Sequence, residues 1–98
     1  MPEMRFNVRW PDATETLCYS PSLIIREYFT PGQTYSVADF ASRSRTALNI
    51  ASERVFAKYG FECTSAKGQL SEIERLAATH SPEATVTVLS FHEINHDS

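Results

Sequence analysis

The sequence predicts an α+β fold, a two-layer sandwich with a three-stranded antiparallel sheet carrying two main helices on one face. Three observations predict it. The chain opens with two short segments of apolar–polar alternation. It continues with a long stretch whose apolar residues recur every three or four positions, and it closes on a β-branched run. The order reads β-β-short α-α-α-β. With 98 residues, the chain has the size of one domain and one core. Residues 1–94 are the expected domain and 95–98 a frayed C-terminal tail.

Each element has a local cause. Met4, Phe6, Val8 and Trp10 fall on one side of a strand; Arg5, Asn7 and Arg9 fall on the other. Pro11-Asp12-Ala13 breaks the strand as a turn. Glu15 to Ser20 alternates again, with Leu17 and Tyr19 opposite Thr16 and Cys18, and the spacing suits a hairpin. Ser20-Pro21 reads as a helix start, Ser as the cap and Pro at the first helical position. Leu23–Phe29 then makes a short helix, although the β-branched pair Ile24-Ile25 also suits a third strand. Thr30-Pro31-Gly32-Gln33 is a turn, with Pro before Gly as type II prefers.

The strongest signal follows. Ser36 caps a helix, with Asp39 in place of the usual Glu of a capping box. Val37, Phe40, Ser44, Leu48, Ala51, Val55 and Tyr59 form one stripe. Gly60 sits where a left-handed residue ends a helix, and Phe61 can fold back on the last turn. A further helix runs from about Ser65 to His80, with Ala66, Leu70, Ile73 and Ala77 inward. Gly68 inside it costs about 1 kcal/mol relative to Ala. Ser81-Pro82 stops that helix, and Thr85–Phe91 is the last strand, expected beside the first.

Composition narrows the function classes. The apolar fraction is 42%, enough to offset chain entropy, and the formal net charge is −3. A nucleic-acid binder needs a basic footprint, so neither nucleic acid nor an anionic membrane is an expected partner. No segment reaches the ~18 apolar residues of a span. The opening Met1-Pro2-Glu3-Met4-Arg5 does not resemble an export signal, so a cytoplasmic protein with reduced Cys18 and Cys63 is expected.

Several segments resemble a known family. Met1-Pro2-Glu3-Met4-Arg5-Phe6, Val8-Arg9-Trp10-Pro11-Asp12 and Cys18-Tyr19-Ser20-Pro21-Ser22 are similar to a family of short bacterial nitrogen starvation response proteins. So are Ser42 to Leu48, Ala51-Ser52-Glu53-Arg54-Val55 and Tyr59-Gly60-Phe61. The similarity covers roughly residues 1–78. It implies gene neighbours that include a nitrilase, a radical-SAM enzyme, an acetyltransferase-like protein and a flavoprotein, and hence an accessory role in a pathway handling nitrogen compounds. It carries no catalytic residue to this chain.

The residues themselves offer a few candidates. Arg5, Arg9, Arg43 and Arg54 can recognise carboxylates or phosphates bidentately. Cys18 precedes the Ser20-Pro21 start and Cys63 precedes the last helix, where a helix N-terminus can activate a thiol; the alternative for both is packing. Trp10, Tyr19 and Tyr28 suit a cleft, an interface or the core equally. His92 and His96 lie four apart on a strand and tail, which does not favour a metal, and neither metal nor cofactor is expected. No Gly-x-Ser-x-Gly elbow or phosphate loop occurs.

Two function classes follow. The first is a non-catalytic accessory protein that docks on enzymes of the same gene cluster, or on a second copy as a homodimer. Its docking face is the arginine side of the first strand, with Arg5, Arg9 and Cys18. The second is a binder of, or small enzyme acting on, an anionic nitrogenous metabolite at Arg9, Cys18 and Arg43.

Overall fold

A computed structural model describes residues 3–61 and 64–94 of the chain. Its elements are β1 (Glu3–Arg9), β2 (Glu15–Ser20), α1 (Ile25–Tyr28), β3 (Thr34–Ser36), α2 (Val37–Tyr59), α3 (Thr64–Ala77) and β4 (Thr85–Ile94). The four strands form one sheet in the order β2-β1-β4-β3, antiparallel throughout. The α+β class and the pairing of last strand with first are as expected.

The sheet has one strand more than expected. β3 is only three residues long and pairs Thr34, Tyr35 and Ser36 with Thr87, Val86 and Thr85. So short a segment carries no alternation to read; its partner in space makes it a strand. A second difference lies at Ser20-Pro21. Ser20 does not cap a helix: its Oγ donates to the Ser22 carbonyl at 2.8 Å and accepts from Ser22 N at 3.2 Å. This local turn competes with helix capping, as Ser side chains do near the backbone. The single helical turn α1 starts only at Ile25, after an N-cap, Ile24, without a side-chain bond. Ile24 and Ile25 are buried there, in no strand.

The remaining punctuation follows local chemistry. Asp12 Oδ1 accepts from Thr14 Oγ1 at 2.6 Å and from Thr14 N at 3.1 Å, which closes the hairpin turn. Those two bonds, the hydroxyl's first, hold the Asp12 carboxyl below the usual range. Gly32 takes φ +87° in the turn after α1, a conformation that favours glycine. Ser36 Oγ accepts from Asp39 N at 3.1 Å at the start of α2. Gly60, at φ +78°, ends it and donates to Phe56 O at 2.8 Å.

One core lies between the sheet and the helices. Met4, Phe6, Val8 and Trp10 from the first strand segment meet Phe40, Leu48 and Ala51 of α2 and Ile73 of α3. Phe29 packs on Phe40 at 5.1 Å, and Trp10 meets the same ring edge-on at 5.4 Å. The stripe of α2 is buried from Val37 to Val55, but Tyr59 is 48% exposed, so the last turn overhangs the core. Phe61 does turn back to Tyr59, at 5.8 Å, while remaining exposed. The expected fraying of 95–98 and the positions of Cys63 and His96 lie outside the described residues.

Candidate functional site

Among the described residues the three helices cover one side of the sheet and leave the other side open. Alternation along β1 turns Met4, Phe6 and Val8 toward the helices and leaves Arg5, Asn7 and Arg9 facing away. The register then decides which neighbours share that face. β2 sets Tyr19 beside Arg5, Leu17 beside Asn7 and Glu15 beside Arg9. β4 sets His92, Ser90 and Thr87 against the same three residues, with a bulge between Asn7 and Val8.

Three contacts organise this face. Arg9 Nη2 and Glu15 Oε2 pair at 3.2 Å, both half exposed, a bond of modest worth. The Tyr19 hydroxyl donates to the Glu3 carboxylate. Ser90 Oγ and His92 Nε2 lie 3.1 Å apart. At one end Glu3, Arg5, Tyr19, Ser65 and Ile94 surround an open hollow of about 580 Å³. Leu17, 52% exposed, is the large apolar side chain of the face.

The expected site residues separate. Arg5 and Arg9 are exposed on the open face. Cys18 is not, which corrects the expected placement: it is fully buried among the helix-side residues. The reason is register. Cys18 stands opposite Phe6, and directly opposed residues share a face. Leu17 and Tyr19 therefore face outward, the reverse of the expected parity. Burial, and secondarily the charge of Glu72, push the Cys18 thiol up to about 12, so it stays protonated at neutral pH. Arg9, Cys18 and Arg43 do not converge.

Arg43 and Arg54 hold the β2–α1 segment onto α2. Arg43 bonds Asp39 Oδ2 through Nε and the Tyr28 carbonyl through Nη1, both at 2.9 Å, and lies 5.2 Å from the Tyr35 ring centre. Arg54 Nη1 donates to Ser22 Oγ at 3.1 Å, and that oxygen also accepts from Ile24 N. Arg43→Ala and Arg54→Ala should each lower stability by about 1 kcal/mol, a figure kept small because the Arg43–Asp39 pair is well exposed. Urea unfolding of each variant checks this; wild-type midpoints in both would show that neither clamp matters.

Sequence reasoning missed Leu17, Tyr19, Ser90 and His92 as members of the open face. The signal that could have placed Ser90 and His92 was the pairing of the last strand with the first. Trp10 and Tyr28 belong to the core and its margin. Among the described residues no three of His, Cys, Asp and Glu come together as a metal site. No helix among them is long and apolar enough to cross a membrane.

These features define a class: a small two-layer α+β domain with one sheet face uncovered. Within it, the chain belongs to the family described as nitrogen starvation-induced protein NitG, whose model matches residues 5–91, from β1 into β4. The family links the chain to nitrogen starvation and agrees with the resemblance seen in its segments. Neither the curated proteins nor the solved structures give a match.

Proposed function

We propose that the protein is a non-catalytic accessory protein of nitrogen starvation that docks through its open sheet face on an enzyme handling nitrogen compounds. The observation that supports this reading is the one-sided covering of the sheet. Arg5, Arg9, Leu17 and His92 stand together on a surface the core does not need. Such a surface can meet a partner without any cost to folding. The metabolite-binding alternative loses its basis, because its arginines and thiol lie apart.

The double substitution Arg5→Glu with Arg9→Glu tests the reading. Stability should change by no more than about 1 kcal/mol, the cost of an exposed pair turned to like charge. Binding to the enzymes that the gene neighbourhood implies should disappear. An unfolded double variant would show that the face is not a free surface. A folded variant that keeps every association would remove the docking face.

A further inference from the structure

We propose that the protein forms a two-fold dimer in which the β4 strands of two copies pair edge to edge, joining two four-stranded sheets into one. A strand edge is a row of backbone donors and acceptors, and proteins leave few such rows uncovered. The other edges of this sheet are managed. Along β2, Gln69 of α3 accepts from Tyr19 N at 2.9 Å. β3 offers an edge of only three residues. β4 outruns its neighbour. β3 takes Thr85, Val86 and Thr87, and the turn before it bonds Val88 through Gly32 N and Gln33 O. Beyond Val88, no group among the described residues bonds the backbone of that edge.

The register fixes which groups are free. Tyr19 N points away from β1, so Arg5 and Tyr19 oppose each other without exchanging backbone bonds. The backbone of Arg5 therefore bonds His92 on its other side, and that of Asn7 bonds Ser90. Bonding direction alternates along a strand, so the N–H and C=O of Phe91 and Glu93 point outward. A second β4 running antiparallel, with His92 on the two-fold axis, sets Phe91 opposite the second copy's Glu93, and Glu93 opposite its Phe91. Each pair exchanges both bonds, and all the outward groups of Phe91 and Glu93 are satisfied. An axis at Phe91 would instead drive the second copy's Ile94 against Val88, whose edge Gly32 and Gln33 already fill.

The charges along the edge are self-complementary, which selects a second copy as the occupant. Glu93 stands opposite Met4, hence on the helix side of β4, where its carboxylate pairs with Arg26. Both side chains are half exposed. The axis brings two such pairs together at the seam, acid beside base, with no net charge. Phe91, packed on the margin of the core and only partly buried, gains cover there.

The test uses the full chain, labelled with nitrogen-15. Sedimentation should show monomer passing to dimer between about 20 µM and about 1 mM. Over that range amide exchange at Phe91 and Glu93 should slow at least about tenfold, while Ser90 and His92, already bonded to β1, should not change. Glu93→Pro removes an outward N–H and no bond to β1, so it should weaken the dimer at least about tenfold in a folded chain. Glu93→Arg gathers only cations at the seam and should also dissociate it. Adding Arg26→Glu to Glu93→Arg restores opposite charges and should restore the dimer. If Glu93→Pro unfolds the chain, the charge series decides. A chain still monomeric at the higher concentration, or a dimer whose Phe91 and Glu93 amides exchange freely, would overturn the proposal. So would a folded charge swap that stays monomeric. A dimer lost in Arg5→Glu/Arg9→Glu but kept in both Glu93 variants would put the seam on the open face and overturn it too.

Discussion

Phe40→Ala should destabilise the protein by about 3–5 kcal/mol, the range for deleting a fully buried aromatic side chain. Its ring is fully buried on the inner face of α2 and contacts Trp10 and Phe29, which directly follow β1 and α1. Truncation removes the transfer free energy of the ring and leaves a cavity that the rigid rings of Trp10 and Phe29 cannot collapse into. The loss is a large share of the ~5–15 kcal/mol that a domain typically has in total. The melting temperature should fall by roughly 15 °C or more, given about 4–8 °C per kcal/mol for a domain this small. Leu48→Ala, two steps along the same stripe, should cost about 2–5 kcal/mol. Tyr59→Ala is the control: Tyr59 closes the stripe but is 48% exposed, so its loss should stay near about 0.5 kcal/mol. Urea unfolding of the three variants measures this. Losses below about 1 kcal/mol at both Phe40 and Leu48 would show that another face of α2 carries the core.

Cys18 should be nearly inert to thiol reagents in the native protein. It is fully buried and its thiol is pushed up to about 12, so the reactive thiolate is scarce and out of reach at neutral pH. With Cys63 replaced by Ser, so that Cys18 alone reports, native labelling should run about 10³-fold or more below the rate in unfolding urea. Reaction must wait for the chain to open, and opened chains are that rare. Labelling within about tenfold of the unfolded rate would contradict the burial of this strand position. A pH dependence follows from the same shift. The folded thiol titrates above its ordinary value near 9.0, so the unfolded chain loses its proton first as pH rises. The contribution of Cys18 is therefore complete below about pH 9 and is lost as pH climbs toward about 12. Melting curves against pH should show this alkaline loss in wild type and a shallower one in Cys18→Ala. Identical slopes would mean that the thiol ionises as freely in the folded protein.

What the sequence by itself determined are the elements whose cause is local. Met4 to Trp10 alternates with every apolar residue on one side, so its buried and open faces were both legible, and Arg5 and Arg9 with them. The stripe of α2, its Ser36 cap and its left-handed Gly60 needed no partner in space to be read. The tertiary structure alone decided β2. Glu15 to Ser20 carries apolar groups on both parities, Leu17 and Tyr19 on one and Cys18 on the other, so alternation announces a strand without saying which side is in. Pairing Phe6 with Cys18 settled it: the strand turns with its neighbour, and a shift by one residue would reverse every side chain. β3 has its existence from β4, and Ser20 from a backbone turn that outcompetes helix capping. Arg43 and Arg54 look like a basic helix face in one dimension. They became clamps because folding brings the Tyr28 carbonyl and the Ser22 hydroxyl to their guanidinium groups, contacts across 15 and 32 residues of chain.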